Sequence, residues 1–185
     1  MTNHFTSQNF SFFAAGCLVA TLFVGGAAQA ITDTVFKYST PKNGYLQIPN
    51  GAFQVGKSST PYVSGNLALR ADANVETCFQ APVNLPAGAK MMALAIFYRK
   101  SNGTGFFVHM LRKKMSDISV AFVVPTQQLA DTALAYKSAN FQIADATLQT
   151  VDNQHYFYVV QVCMDEKTNL FHGVRIAYTY TNPGD

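Results

Sequence analysis

One segment of the chain matches a chemical motif letter for letter. Residues 51–58 read Gly-Ala-Phe-Gln-Val-Gly-Lys-Ser, which fits the phosphate-loop pattern GxxxxGK[ST]. Such a loop needs a strand before it and a helix after it, so that backbone amides can surround a phosphate. Pro61 follows three residues after Ser58, and the chain lacks the alternation of strands and helices typical of nucleotide-binding folds. We therefore interpret the match as a turn and expect no nucleotide ligand.

The residue types that most often perform catalysis or bind metals are dispersed. The four histidines form no HxH or HExxH spacing, and the ten acidic residues stand singly apart from Asp165-Glu166. Zinc and calcium sites have recognisable spacings of His/Cys or Asp/Asn that are not found here. His109 lies between Phe107 and Leu111 on one strand face, which favours a packed histidine over a ligand. We predict no metal, no cofactor and no catalytic residue.

The first thirty residues resemble an export signal. An apolar run from Phe10 to Val24 is followed by small residues that end in Ala28-Gln29-Ala30. This pattern predicts cleavage between Ala30 and Ile31, which would leave residues 31–185 in the periplasm or outside the cell with no stable membrane span. No Lys or Arg precedes the apolar run, although an export signal normally has one. The run is long enough for an uncleaved anchor as an alternative. Ala14-Ala15-Gly16-Cys17 resembles a lipoprotein box, so a lipid on Cys17 is another alternative.

Removal of that segment would leave two cysteines, Cys78 and Cys163. Two cysteines in an oxidising compartment predict one disulfide. The bond would close a loop of 85 residues, worth roughly 4–5 kcal/mol in the chain-entropy model. Two separate buried thiols are the alternative. Since no CxxC occurs, redox catalysis is not expected.

The elements that must position these residues are predicted to be strands of a single domain. Turn residues recur at short intervals, with apolar or alternating runs between them, which predicts an all-β sandwich or barrel. The clearest predicted strands are 91–100, 105–113, 119–124, 155–164 and 171–181, with shorter ones at 35–38, 67–71 and 75–80. Residues 125–135 fit either a helical turn or a loop and strand. The net charge of +3 does not by itself indicate nucleic acid, and no nucleic-acid partner is expected.

Two strand patterns go beyond this outline. Asn102-Gly103 between the first two long runs predicts a tight β-hairpin. Strand 91–100 is apolar on both faces, with Met92, Leu94, Ile96 and Tyr98 predicted on one side and Met91, Ala93, Ala95 and Phe97 on the other. Strand 155–164 shows the same doubling. A second apolar face predicts a cover, which is a further layer, a neighbouring subunit or loops of the same chain.

Several blocks resemble a loose group of small exported bacterial proteins of unknown function. The residues that carry the resemblance are Leu85-Pro-Ala-Gly-Ala89, the strand that ends in Phe97-Tyr98, Val108-His-Met-Leu-Arg-Lys113 and the closing Gly173-Val-Arg-Ile-Ala-Tyr178. The resemblance implies a jelly-roll-like antiparallel β-sandwich and no activity. In the closing strand, alternation directs Val174, Ile176, Tyr178 and Tyr180 inward and leaves Arg175 on the other face, where it is predicted to meet an acidic partner.

Three functions follow from these patterns. The doubled apolar faces favour a non-enzymatic exported β-sandwich that acts as an interaction or assembly subunit, bound to itself as a homo-oligomer or to a cell-surface or extracellular partner. The alternative is a carbohydrate- or small-ligand-binding module that stacks its ligand on exposed tyrosines such as Tyr45 and Tyr62, although the chain has no Trp for stacking. A hydrolase whose carboxylates meet only in space is the least favoured.

Overall fold

The computed structural model describes residues 37–57, 61–65, 67–100, 105–117, 119–130 and 132–182. The predicted signal peptide and its cleavage site between Ala30 and Ile31 lie outside these residues, as do the first two residues of the predicted strand at 35–38. Residues 37–38 are described and form no strand. Among the described residues, no helix has both the length and the apolar character that crossing a membrane requires.

Antiparallel strands account for almost all of the regular secondary structure in the described chain. The strands are β1 (Lys42–Pro49), β2 (Gln54–Val55), β3 (Tyr62–Ser64), β4 (Leu69–Ala71), β5 (Thr77–Pro82), β6 (Lys90–Arg99), β7 (Phe106–Lys114), β8 (Val120–Gln128), β9 (Lys137–Gln142), β10 (Tyr156–Met164) and β11 (Leu170–Tyr180). One turn of 3₁₀ helix at Asn50–Ala52 and one short helix, α1 (Ala146–Gln149), accompany them. The prediction of an all-β fold is therefore confirmed.

The strands form two sheets with jelly-roll topology. The six-stranded sheet has the order β3-β4-β11-β6-β9, with β1 also paired to β11, and the five-stranded sheet has the order β2-β5-β10-β7-β8. Strand β7 pairs with β8, β6 with β9, β5 with β10 and β4 with β11. The second half of the chain thus returns antiparallel to the first. This arrangement of a wrapped antiparallel ribbon confirms the predicted jelly-roll-like sandwich.

The core lies between the two sheets and is built from alternate residues of each strand. The inward side chains of the central strands are almost completely buried: Leu94, Ile96 and Tyr98 on β6, Val108 and Met110 on β7, Val160 and Val162 on β10, and Phe171, Val174 and Ile176 on β11. Tyr178 and Tyr180 pack against the edge of this core, as alternation predicts. Burial of these side chains is the main stabilising contribution to the sandwich.

The predicted hairpin between residues 91–100 and 105–113 is wrong. The two strands lie in different sheets, since β6 pairs with β9 and β11 whereas β7 pairs with β8 and β10. A turn signal marks a chain reversal but does not specify which strands bond to each other. Strands β6 and β7 each have one buried face. Because their sheets pack against each other, these two faces contribute to the same core.

One local expectation also needs correction, and one open alternative is decided. Met91 is fully buried and Met92 is 40% exposed, the reverse of simple alternation, because a register shift opposite Ala177 and Tyr178 inserts one extra residue into β6. Of the two alternatives for residues 125–135, the loop and strand is confirmed where these residues are described. Strand β8 continues to Gln128 through Pro125, which an edge strand tolerates because its N–H side needs no partner.

The disulfide between Cys78 and Cys163 is present. The two cysteines stand directly opposite each other on the neighbouring strands β5 and β10, on the face that points away from the core. The alternative of two separate buried thiols is therefore wrong. A disulfide of this kind is typical of an oxidising compartment.

Candidate functional site

The outer face of the six-stranded sheet presents three aromatic side chains, a histidine and an arginine. Tyr45 on β1, Phe97 on β6, Tyr136 in the loop before β9, and His172 and Arg175 on β11 make up what we call the aromatic face. Tyr45 is 63% exposed and Tyr136 67% exposed. Rings this exposed add little to the core, so their placement is available for contact with a ligand.

Arg175 occupies the middle of the aromatic face. Its guanidinium carbon lies 5.3 Å from the centre of the Tyr45 ring and 5.7 Å from that of Phe97. Both rings therefore hold the cation through their negative faces. Within the described part of the chain Arg175 forms no ion pair, so the predicted acidic partner is replaced by aromatic neighbours.

Tyr136 and His172 form the second half of the face. Their ring centres are 4.9 Å apart in an edge-on arrangement, and the guanidinium of Arg99 lies 5.8 Å from the Tyr136 centre. Tyr136 is presented by a tight turn in which Ala133 and Leu134 have φ values of +47° and +66°. Such angles are costly for residues other than glycine and persist only where the surroundings enforce them.

Hydrogen bonds from β6 hold that loop in place. The Thr132 hydroxyl donates to the Lys100 carbonyl and accepts from the Lys100 amide, both at 2.8 Å. The Lys100 ammonium donates to the Leu129 carbonyl at 2.7 Å, and the Tyr98 hydroxyl donates to the Ala130 carbonyl at 3.2 Å. Burial raises the pKa of Tyr98, so the phenol stays protonated and remains a donor.

His172 has one ring nitrogen bound and one free. Its Nδ1 donates to the Leu67 carbonyl at 2.5 Å, since a carbonyl can only accept. In the neutral ring Nε2 is then an acceptor. That atom is buried and has no partner among the described residues.

Two shallow depressions meet on this face. One has a volume of about 420 Å³ and includes Gln47, Phe97, His172 and Arg175 in its lining. The other, of about 320 Å³, includes Phe97, Tyr136 and His172. Because Phe97 and His172 line both, the depressions form one continuous groove across strands β1, β11, β6 and β9, a width of roughly 14 Å at the usual strand spacing.

A row of small and polar residues crosses the same face of the sheet. Gln47, Arg175, Ala95 and Asn140 stand opposite one another in a single row across the four strands. The exposed amides at the two ends of the row supply both donors and acceptors. Gly173 has φ +142°, and an added Cβ there would lie 2.7 Å from the Ile48 carbonyl oxygen. Strand β1 can therefore approach β11 closely only because residue 173 lacks a side chain.

The two tyrosines predicted to stack a ligand are not brought together. Tyr45 lies on the aromatic face. Tyr62 lies on the other side of the same sheet, where it pairs with buried Ala71 and its ring packs edge-on against Phe79 at 5.6 Å. Sequence reasoning missed Phe97, Tyr136 and His172. The outward position of Phe97 in strand 91–100 was a usable signal, whereas nothing in the sequence places the Tyr136 loop beside β11.

The other motif candidates lie elsewhere. In the phosphate-loop match, residues 50–52 form a 3₁₀ turn and Gln54–Val55 form β2, paired with β5. His109 lies on the outer face of the five-stranded sheet, where its Nε2 is 2.7 Å from the Gln161 amide oxygen and its ring meets Phe122 edge-on. Neither place contains a cluster of chemical groups comparable to the aromatic face.

The outer face of the five-stranded sheet is open and apolar. Its exposed large side chains are Phe157, Val120, Phe122 and, just beyond β7, Met115. No described part of the chain covers them. Strand 155–164 thus has the two apolar faces that its sequence predicts. Tyr158, Val160 and Val162 face the core, and Phe157 faces solvent.

Comparison with solved structures identifies proteins of similar fold. A xylan-binding module, CBM15, matches with a TM-score of 0.50 and 11% sequence identity over 78% of this chain and 99% of that chain. A family 35 carbohydrate-binding module from Clostridium thermocellum matches with a TM-score of 0.46 and 11% identity over 72% of this chain and 97% of that chain. No family model matches the chain, and no curated protein matches it. At such identities the likeness concerns the fold alone.

Proposed function

We propose that the protein is a non-catalytic carbohydrate-binding module and that the aromatic face binds the glycan. The observation that carries the proposal is the placement of Tyr45 and Tyr136, two well-exposed rings, at either side of a groove lined with hydrogen-bonding groups. A sugar ring combines an apolar C–H surface with hydroxyl groups. Exposed aromatic rings match the first property, and amides, arginine and histidine match the second.

The fold adds support of a different kind. The solved module of similar fold is named for xylan binding, so a sandwich of this architecture is compatible with glycan recognition. The aromatic face contains no carboxylate pair of the kind that glycoside hydrolysis requires, and its side chains are suited to binding a sugar without cleaving it.

A binding assay with matched variants tests this proposal. Wild-type protein is applied to an array of plant, algal and bacterial glycans, and hits are measured by isothermal titration calorimetry. We expect Y45A and Y136A to weaken binding and F157A to leave it unchanged. Phe157 is a fair control because it is 57% exposed and lies on the opposite sheet. Absence of binding to every glycan, or equal weakening by all three substitutions, would reject the proposal.

A second candidate function rests on the open face of the five-stranded sheet. Exposed Phe122 and Phe157 favour an interaction or assembly role, through a homo-oligomer or an extracellular partner. Light scattering of residues 31–185 over a wide concentration range tests the homo-oligomer. A monomer at every concentration would reject it, while the glycan proposal would be unaffected.

We also propose that the protein is exported to the periplasm or the extracellular space. The disulfide between Cys78 and Cys163 supports an oxidising compartment. Sequencing the N-terminus of the protein recovered from its native host tests both the export and the cleavage between Ala30 and Ile31. A mature chain that starts at Met1 would reject the cleavage.

A further inference from the structure

The strands of the six-stranded sheet have an uneven charge distribution. They contain six basic residues and no Asp or Glu. The basic residues are Lys42, Arg70, Lys90, Arg99, Lys137 and Arg175. Two of them, Arg175 and Lys137, line the groove. A groove with one sign of charge attracts ligands of the opposite sign.

The position of Arg175 argues against a role in protecting the sheet edge. Lysine and arginine on edge strands commonly prevent sheets from joining. Strand β11 is central, however, with β1 and β4 on one side and β6 on the other. An exposed arginine in the middle of a sheet, with no ion pair among the described residues, needs another explanation.

The geometry around Arg175 favours the binding of an anion by its side chain. Its guanidinium is held between Tyr45 and Phe97 at 5.3 and 5.7 Å. Stacking of this kind leaves the N–H groups at the rim of the cation free to donate. A planar fork of donors fits a carboxylate or a sulfate through two parallel hydrogen bonds, which neutral hydroxyls do not match in strength.

A second guanidinium is stacked on an aromatic ring beside the other half of the groove. Arg99 lies over the Tyr136 ring, and its Nε is buried with no partner among the described residues. Arg99 therefore adds a second cation stacked on an aromatic ring, beside the Tyr136 half of the groove.

We propose that the aromatic face selects an acidic glycan, one that carries uronate carboxylates or sulfate esters, and that Arg175 is its principal charge partner. This inference rests on the proposed carbohydrate-binding function. It specifies the class of ligand, which neither the exposed aromatic rings nor the fold does.

The test compares matched pairs of glycans. Each backbone is presented in its acidic form and in a neutral form, with uronates reduced to the alcohol or sulfates removed. We expect the acidic member to bind at least about tenfold more tightly, as a charge-assisted pair of hydrogen bonds implies, with the preference reduced at high salt. The uronate and sulfate pairs show separately which anion is preferred.

Variants connect that preference to Arg175. We expect R175Q to abolish the preference for acidic glycans and R175K to retain only part of it, because an ammonium lacks the planar fork. K113Q is the matched control, since Lys113 lies on the other sheet and its loss changes the net charge equally. A polyglutamate peptide tests whether charge alone is recognised.

The outcomes separate the two proposals. If no glycan of either form binds, both proposals fail. If acidic and neutral partners bind equally, or if R175Q keeps the wild-type preference, the carbohydrate-binding proposal stands and the acidic-ligand inference is rejected. Polyglutamate binding as tight as that of the acidic glycans would also reject the inference.

Discussion

Replacement of Tyr45 by alanine tests whether the aromatic face binds a glycan. The exposed area of Tyr45 gives the size of the expected loss of affinity. A fully buried aromatic side chain hides about 150–250 Å². Since Tyr45 is 63% exposed, about 100–150 Å² of it remains accessible. A sugar stacked on one side of the ring would cover roughly half of that area. At about 25 cal/mol per Å², the lost burial amounts to about 1.3–1.9 kcal/mol, or about 10- to 25-fold in affinity.

The same substitution is expected to have a smaller effect on the fold. Only about a third of Tyr45 is hidden in the free protein. Its contact with Arg175 is a cation–π interaction at an exposed site, worth about 0.5–1 kcal/mol. We expect the free energy of unfolding of Y45A to fall by less than about 2 kcal/mol. Circular dichroism and denaturant titration verify that the variant is folded before its affinity is compared.

Calorimetry with a glycan that the wild type binds supplies the assay. Y45A should show the 10- to 25-fold loss, Y45F should remain close to the wild type because the ring is kept, and F157A should be unchanged. The reasoning is refuted if Y45A binds within about twofold of the wild type while folded, since the ring would then make no contact with the ligand.

Three further predictions concern the framework that supports the site. Replacing both Cys78 and Cys163 by serine should lower the free energy of unfolding in urea titrations by up to about 4–5 kcal/mol. Glycan affinity should be unchanged because the bond lies on the other sheet, and a loss of affinity would contradict this. G173A should destabilise the fold by about 1–3 kcal/mol, because its Cβ would lie 2.7 Å from the Ile48 carbonyl oxygen. A thermal unfolding midpoint equal to that of the wild type would show that the added Cβ is tolerated and would contradict this prediction. Hydrogen bonds from Ser119 lower the pKa of Asp117 to about 2. The contribution of the Asp117 carboxylate to stability should therefore be present above about pH 4 and lost as the pH falls towards 2. D117N should remove this part of the pH dependence of unfolding, and identical pH profiles for the variant and the wild type would refute the assignment.

The fold was largely predictable from the sequence because its signals are local. Alternation places Val174 and Ile176 in the core, and turn residues at short intervals indicate strands and exclude long helices. Strand partners depend on contacts that are distant in the chain. The reversal between β6 and β7 therefore looked like a hairpin, although each strand bonds within a different sheet.

The site was predictable only in part for the same reason. Tyr45 could be selected as an exposed tyrosine, and the outward position of Arg175 follows from alternation. That these two residues contact each other depends on the pairing of β1 with β11, which are far apart in sequence. The place of Tyr136 depends on a turn with two positive φ angles at Ala133 and Leu134, residue types that give no turn signal.

NMR mapping can show which face of the sandwich binds the glycan. A ¹⁵N-labelled protein is titrated with an acidic oligosaccharide that binds in the array. We expect the perturbed backbone amides to cluster on the six-stranded sheet around Gln47, Ala95 and Arg175, while those of Leu111 and Gln161 on the other sheet do not shift. Perturbations centred on the five-stranded sheet would contradict this expectation.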